Sequence, residues 1–223
     1  MRPMAGKPHT LLLCSASPRR RRLIELYGVP YRATSVDLEE DLGQPLAPPL
    51  LARRIAAEKA VAARTAEGKA GLVLTFDTIV VLDGDVLGKP GDLDDARRML
   101  RALSAREHEV VTGVALLPPG ERAPFTFAVV TKVRMRELSE ADIEGWAARG
   151  ELLGCAGAYN IESHLATVEA DECFQNVAGL PLCHLWRALA SGAFGGVEGL
   201  TPPCGACEKA RGVACELGRD LTA

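Results

Sequence analysis

The 223-residue sequence lacks several motifs that would assign it at once to a known functional class. It has no GxxxxGK[ST] and no GxGxxG, so neither the P-loop nor the dinucleotide-binding fingerprint applies, and it has no zinc-protease HExxH. The four histidines are scattered along the chain: His9, His108, His164 and His184. Because none of them is paired with a nucleophile in a recognisable motif, catalysis by a nucleophile–histidine triad has no support.

Strong net charge and long apolar runs are also absent. The formal net charge of −3 provides no overall attraction to nucleic acid or to an anionic membrane. No apolar run approaches the roughly 20 residues of a membrane-spanning helix, and the run at residues 11–14 is too short for a signal peptide. Seven cysteines, an odd number, in a chain without an export signal predict reduced thiols in the cytoplasm.

What the chain does contain is an alternation of predicted strands and helices. The predicted elements are strand 10–14, helix 18–27, strand 31–36, helix 50–66, hairpin 72–87, helix 93–103, strands 109–117 and 125–138, helix 140–149, strand 165–170 and helix 181–190. This order predicts an α/β domain with a mixed, twisted sheet, flanking helices and a central cleft. The predicted domain covers residues 1–194, and the Gly/Pro-rich residues 195–223 are predicted to be an appendage outside the core.

The central stretch 72–90, LVLTFDTIVVLDGDVLGKP, carries candidate chemistry on strands and a turn. An apolar run leads to Asp77, and a second run ends in an Asp-Gly pair, the strongest short signal for a β-hairpin. Lys89 follows the return strand. Asp77 is either a functional carboxylate or a strand-end residue that caps a neighbouring backbone amide, and the rest of the chain has to decide between the two.

A second candidate site is SASPRR at residues 15–20, where a strand passes through small residues into a helix capped by Ser17. Free amides and the positive end of the helix dipole suit a phosphate there. Arg19 and Arg20 lie in the first helical turn, where cations oppose the dipole. An anionic ligand explains them better than helix stability does, although a basic solvated face is the alternative.

The candidate residues are cations and carboxylates with no histidine among them, a combination that is typical of metal-assisted phosphate chemistry. The cations would hold phosphate oxygens, and the acids would hold Mg²⁺ or Mn²⁺ and activate water. The cations are Arg19, Arg20, Lys59 and Lys89, and the carboxylates are Glu39, Glu40, Asp77 and Glu162. Lys59 lies one turn beyond Ile55, at the edge of a predicted inward face formed by Leu51, Ile55 and Val61, so it could also be a lysine that snorkels to solvent.

Six motifs together resemble the Maf (septum-formation inhibitor) family of nucleoside triphosphate pyrophosphatases. They are SASPRR (15–20), the EE pair (39–40), AAEKA (56–60), FDTIVVLDGDVLGKP (76–90), GCAGAYNIES (154–163) and VAGLPL (177–182), in family order over residues 10–192. The resemblance implies a Maf/ITPase-like fold, a house-cleaning reaction NTP + H₂O → NMP + pyrophosphate, a divalent metal cofactor (Mg²⁺ or Mn²⁺) and a homodimer.

The resemblance also implies roles for individual residues. It gives catalytic roles to Asp77, Lys89 and Glu40, and substrate binding to Ser15, Arg19, Arg20, Lys59, Thr78 and Glu162. Glu40 and Asp77 are the implied metal ligands. Because an ordinary aspartate is a weak base at neutral pH, a metal must share the activation of water, and whether Asp77 takes the proton or orients the water stays open.

Two positions point to different nucleotides. Asp77-Thr78 resembles the members that act on dTTP and UTP, whereas Glu162 replaces their glutamine and is nearer the members that act on 7-methyl-GTP. An ionised glutamate only accepts hydrogen bonds, while glutamine also donates. We expect a pyrimidine triphosphate, with 7-methyl-GTP or a broader set of modified nucleotides as the alternative. A non-catalytic nucleotide-binding regulator of cell division is the alternative of another class.

The last cysteines have a spacing that zinc sites share. Cys204 and Cys207 form one C-x₂-C knuckle and Cys215 follows, so these three thiols are candidate zinc ligands, with Cys173 or Cys183 as a fourth. Free thiols in a loose tail are the competing interpretation.

Overall fold

A mixed sheet of seven strands runs through the protein, and the computed structural model describes residues 10–68, 71–150, 152–194, 197–212 and 215–221. The strands are β1 (Leu11–Cys14), β2 (Tyr31–Thr34), β3 (Leu72–Leu82), β4 (Asp85–Leu87), β5 (Glu107–Leu117), β6 (Phe125–Met135) and β7 (Ala166–Thr167). The sheet order is β2-β1-β3-β5-β6-β7, with β4 paired to β3 alone. The predicted α/β class with a mixed sheet is confirmed.

Strand β1 pairs in parallel with β2 and β3, and the remaining neighbours pair antiparallel. The register sets Cys14 opposite Thr75. Ser15, just after the end of β1, and Asp77, two residues further along β3, therefore emerge at the same end of this strand pair. Parallel pairing at this point brings the SASPRR loop and the central acid together although they are about 60 residues apart in the chain.

The helices are α1 (Pro18–Ile24), α2 (Pro48–Glu67), α3 (Leu93–Leu103), α4 (Glu140–Ala147), α5 (Phe174–Val177), α6 (Leu182–Ala190) and α7 (Cys204–Arg211). Three predicted helix starts are confirmed: Ser17 accepts from the Arg20 amide, Asp92 caps α3, and Ser139 forms a reciprocal capping box at α4. None of the described helices is both long and apolar enough to cross a lipid bilayer.

Helix α2 lies close to the sheet because alanines make up much of its inner face. Ala52, Ala56, Ala60 and Ala63 are all fully buried. Gly113 of β5 completes the contact, since a Cβ there would lie 2.1 Å from the Ala52 carbonyl oxygen. The predicted inward positions of Leu51 and Ile55 are confirmed, since both are buried against sheet residues. The prediction that Val61 points inward is wrong, because its side chain is exposed.

The described residues after 196 pack against the main core rather than forming an appendage. Val197 and Leu200 contact the core cluster, and the Thr201 amide donates to the Tyr27 carbonyl at 2.9 Å. The predicted loose tail is therefore wrong for these residues, whose apolar side chains find a surface beside α1 and α6. The domain boundary between 194 and 195 adjoins residues outside the described part and stays a prediction.

Candidate active site

A cleft of about 1040 Å³ opens where β1 gives way to α1, bounded on the other side by the loop at 154–163. It brings together every residue that the sequence predicts for catalysis or substrate binding. These are Ser15, Arg19, Arg20, Glu40, Lys59, Asp77, Thr78, Lys89 and Glu162. Four of them are cations from three separate segments and three are carboxylates, so the cleft concentrates charges of both signs.

Two carboxylates and two lysines form the centre of the cleft. Lys59 Nζ lies 2.6 Å from Asp77 Oδ1 and 2.7 Å from Glu40 Oε1, and Lys89 Nζ lies 3.4 Å from the same Glu40 oxygen. Burial acts to raise the pKa of Glu40, but Lys59 and Lys89 outweigh it and hold that pKa below its ordinary value. Glu40 is therefore ionised at neutral pH.

Asp77 is the most deeply placed acid of the cleft. It is 3 % exposed, and its Oδ2 is buried with no hydrogen-bond partner within the described residues. A buried carboxylate oxygen is almost always paired. Asp77 itself lines the cleft, and a buried carboxylate oxygen that caps no backbone amide favours the functional interpretation of Asp77 over the capping one.

Arg20 is locked into the wall of the cleft. Its Nε donates to the Gly179 carbonyl at 2.7 Å, its Nη2 donates to Thr78 Oγ1 at 2.8 Å, and its guanidinium lies 5.6 Å from the centroid of the Phe76 ring. Burial lowers the pKa of Arg20 from its ordinary value to about 10, while Asp77 acts in the opposite direction. The side chain stays cationic at neutral pH and keeps N–H groups free for an anion.

Arg19 reaches across the cleft toward the opposite loop. Its Nη1 donates to Cys155 Sγ at 3.1 Å, and its Nε is buried without a partner among the described residues. A thiol is a weak acceptor for a guanidinium. Arg19 therefore retains donors that a phosphate oxygen would satisfy better than the present contact does.

The SASPRR turn is held mainly by its own hydrogen bonds. The Ser17 amide donates to Ser15 Oγ at 3.2 Å, and Arg21 donates twice to the Ser15 carbonyl, at 3.2 and 3.3 Å. Because the Ser17 side chain already accepts from the Arg20 amide, part of the first turn of the short helix α1 is satisfied internally. The arginine side chains, more than the helix end, supply the positive charge here.

The loop at 154–163 approaches the central hairpin closely, as its small residues predict. Gly157 adopts a φ of 66°, its amide donates to the Gly88 carbonyl at 3.0 Å, and a Cβ on it would lie 2.8 Å from Val80 Cγ2. Glycine alone satisfies both the backbone and the space at this position. The contact fixes the distance between this loop and the turn that carries Lys89.

At the outer end of the cleft, Glu162 is joined to helix α1. Arg22 Nη2 lies 2.9 Å from Glu162 Oε2 and 3.2 Å from Oε1, and both side chains are largely exposed. An exposed pair of this kind contributes about 0–1 kcal/mol to stability. It does, however, place both carboxylate oxygens at the mouth of the cleft, where a nucleotide base could meet them.

Four residues of the cleft region escape prediction from the sequence: Arg22, Thr112, Asn176 and Gly179. Gly179 and Asn176 lie in or beside the VAGLPL motif, which is a signal for Gly179 but gives it no role. Thr112 lies in the middle of a β-branched strand and carries no local signal, because its hydroxyl matters only through strands and loops distant in sequence.

The zinc site expected at Cys204, Cys207 and Cys215 is not assembled. In the described part of the chain, no three His, Cys, Asp or Glu side chains are placed to hold a metal ion. Cys204 Sγ donates to the Gly218 carbonyl at 3.3 Å, and all three thiols are buried. Residues 204–211 form helix α7, and the knuckle spacing alone does not bring three metal ligands together there.

Fold and site together define an α/β protein with a charged cleft in which two carboxylates meet around a lysine. Comparison with known families then gives its relationship. The chain belongs to the Maf-like protein family, whose model matches residues 10–192. The resemblance inferred from the six motifs is confirmed.

Relatives with an assigned name cover most of the chain. It is 41 % identical over 182 residues to the dTTP/UTP pyrophosphatase of Syntrophomonas wolfei, and this match covers 80 % of this chain and 95 % of that protein. It is 39 % identical over 194 residues to the dTTP/UTP pyrophosphatase of Salinibacter ruber, with 85 % and 94 % covered. The solved Ham1 protein of Staphylococcus aureus overlaps 56 % of this chain and 71 % of its own at 14 % identity and a TM-score of 0.41, from which no functional argument follows.

Proposed function

We propose that this protein hydrolyses nucleoside triphosphates to the monophosphate and pyrophosphate, with dTTP and UTP as preferred substrates. The observation that carries the proposal is the convergence of Arg19, Arg20 and Lys89 on one cleft beside Asp77, whose Oδ2 has no hydrogen-bond partner among the described residues. Cations of this kind bind the oxygens of a polyphosphate. The names of the relatives support the reaction and the pyrimidine preference.

In the proposed reaction, water attacks the phosphorus next to the nucleoside. Asp77 Oδ2 accepts a proton from that water as its oxygen bonds to phosphorus, and the bond to the bridging oxygen breaks so that pyrophosphate leaves. Lys59 keeps the Asp77 carboxylate in place through its 2.6 Å contact. Arg19, Arg20 and Lys89 hold the phosphate oxygens in line and offset their charge.

The residues at the centre also fit a divalent metal. Mg²⁺ is commonly held by one or two carboxylates together with waters and substrate phosphates, and Glu40 with the orphaned Asp77 oxygen is such a partial ligand set. When bound there, Mg²⁺ or Mn²⁺ would neutralise phosphate charge and make water easier to deprotonate. Metal dependence, like the homodimer and the cytoplasmic location, is a prediction.

Hydrolysis of a nucleotide panel by the full chain tests the proposed function. dTTP, UTP, CTP and 7-methyl-GTP are each supplied with Mg²⁺ or Mn²⁺, and pyrophosphate and monophosphate are quantified. We expect equal amounts of the two products, formed fastest from dTTP and UTP and abolished by EDTA. Binding of these nucleotides without any product, even at high protein concentration, would instead support a nucleotide-binding regulator.

A further inference from the structure

Behind Arg20, a run of buried polar groups leads away from the cleft into the sheet. Thr112 of β5 and Asn176 of α5 are both fully buried, and neither lines the cleft. Asn176 is itself tied to the sheet: its Nδ2 lies 3.0–3.1 Å from the Val110 carbonyl, the Val129 carbonyl and Thr131 Oγ1. A polar group at such depth costs stability unless it is fully bonded, so this arrangement calls for an explanation.

The hydrogen bonds form one continuous chain from the cleft to that anchor. Arg20 Nη2 lies 2.8 Å from Thr78 Oγ1, and Thr78 Oγ1 lies 2.9 Å from Thr112 Oγ1. Thr112 Oγ1 in turn lies 3.1 Å from the main-chain carbonyl oxygen of Asn176. A guanidinium can only donate and a carbonyl can only accept, while each hydroxyl has a single hydrogen. The chain therefore has one direction: Arg20 donates to Thr78, Thr78 to Thr112, and Thr112 to Asn176.

Thr112 connects the two ends of this chain of hydrogen bonds, because its one hydroxyl both accepts from Thr78 and donates to the main-chain carbonyl of Asn176. With that link present, Thr78 has its hydrogen committed away from Arg20 and turns lone pairs toward the guanidinium. A free arginine side chain would lose up to about 2 kcal/mol of rotamer entropy on binding a phosphate. Fixing Arg20 in advance removes part of that loss.

We infer that Thr112 is a positioning residue, which acts through Thr78 to hold Arg20 ready for the substrate's phosphates. The inference rests on the proposed function, because it assigns Arg20 to triphosphate binding. Thr112 touches no substrate itself. Its contribution is to binding that is made alike in the ground state and the transition state, so its loss should appear in KM and not in kcat.

The test substitutes the hydroxyl while keeping the shape. In Thr112→Val the side-chain volume and strand preference stay, and we expect KM for dTTP to rise roughly three- to tenfold, with kcat within about twofold of wild type. Thr112→Ser keeps the hydroxyl and is expected to keep the wild-type KM. A T112V variant with wild-type KM, or a T112S variant that matches T112V, would overturn the inference.

Thr131→Val is the matched control for a merely structural role. Thr131 is equally buried, accepts from the side-chain amide of Asn176 and donates to the Cys173 carbonyl, but it lies outside the path to Arg20. We expect T131V to lower the unfolding midpoint without raising KM. Equal KM increases in T131V and T112V would mean that disturbance around Asn176, and not the link to Arg20, is responsible.

A double-mutant cycle completes the test. If Thr112 acts through Arg20, T112V should raise KM no further in an Arg20→Lys background, whereas independent effects would add. If T112V does not fold, T112A, which also lacks the hydroxyl, takes its place in each comparison, and a wild-type KM overturns the inference equally. A wild-type protein that releases no pyrophosphate refutes the proposed function, whereas an active wild type with indifferent T112 variants refutes this inference alone.

Discussion

Asp77 combines deep burial with an oxygen that nothing in the described protein satisfies. Asp77→Asn keeps the shape and lets Oδ1 still accept from Lys59, but the amide cannot take a proton from water. We therefore expect kcat for pyrophosphate release to fall by about 10²–10⁴-fold, with the unfolding midpoint near that of wild type. Steady-state kinetics on dTTP and a thermal melt measure the two quantities.

Asp37→Asn is the control for that substitution. Asp37 lines the same cleft but is exposed and lies outside the lysine–carboxylate centre. Its activity should stay close to that of wild type. Full activity in D77N would remove Asp77 from the mechanism, and an equal loss in D37N would mean that any charge change in the cleft is harmful.

Glu162 offers a prediction about specificity. Glu162→Gln gives up the two-point contact with Arg22 and supplies an amide donor at the mouth of the cleft. We expect kcat/KM for UTP to rise relative to 7-methyl-GTP, while stability changes by no more than about 1 kcal/mol because the pair is exposed. An unchanged ratio of the two kcat/KM values would show that Glu162 does not read the base.

Single residues were predictable where their role is local or carried by a motif. The nine site residues come from motifs, and the caps at Ser17, Asp92 and Ser139 come from neighbours three residues away. Thr112 could not be predicted, since its partners come from segments 34 and 64 residues away. A central strand threonine looks the same whether its hydroxyl is part of a network or merely buried.

Among the secondary-structure elements, the contact between α2 and the sheet is the most sensitive to side-chain size. Gly113→Ala would place a Cβ 2.1 Å from the Ala52 carbonyl oxygen, and backbone cannot rotate aside as a side chain can. We expect the free energy of unfolding to fall by about 1–3 kcal/mol or more. Because α2 carries Lys59, activity should fall as well. Chemical denaturation of the purified variant measures the change.

Gly145→Ala is the control of opposite sign. Gly145 is an exposed helical residue of α4 with open space around its Cα. Alanine favours a helix over glycine by about 0.5–1 kcal/mol, so this variant should be slightly more stable than wild type. If both glycine variants behaved alike, the close approach of α2 would not be the cause.

The bounds of the longer elements followed from periodicity and caps, but their packing faces did not. Helix α2 was predicted over 50–66 and is formed by Pro48–Glu67. Leu51 and Ile55 are buried as predicted, but Val61 is exposed and alanines supply the rest of the inward face. Close packing depends on Gly113 of a strand more than 40 residues away, which no pattern within the helix can indicate.

For the molecule as a whole, the buried thiols link stability to pH. Burial raises the pKa of Cys173 to about 12 and that of Cys207 to about 11, and it also raises the pKa of Cys183. In the unfolded chain a thiol loses its proton near pH 8.5. Their contribution is therefore complete below that pH and is lost as pH rises toward the folded values.

We accordingly expect the free energy of unfolding to fall by roughly 1 kcal/mol per buried thiol between pH 7.5 and 9.5. Urea denaturation at several pH values measures it, with the upper limit kept below pH 10 so that the buried tyrosines do not contribute. Cys183→Ala should remove one thiol's share of the slope. Stability that does not change over this interval would contradict the buried, protonated state of these thiols.

The organisation of the whole chain was predictable up to its last segment. The mixed sheet and the cleft follow from the order of elements, and the family from six motifs. Within the described part of the chain, the predicted zinc site is not assembled, and Val197 and Leu200 pack against the core, contrary to a loose tail. Cysteine spacing alone does not distinguish metal ligands from other buried thiols. That distinction depends on what the segment packs against.

The proposed chemistry requires that water attack the phosphorus next to the nucleoside. That phosphorus would lie beside Asp77, while cations from separate segments of the chain hold the phosphate oxygens. Hydrolysis of dTTP in ¹⁸O-labelled water, with mass analysis of both products, tests this directly. The account predicts that the label enters dTMP and that pyrophosphate stays unlabelled. Label in pyrophosphate, or formation of dTDP and orthophosphate, would contradict it.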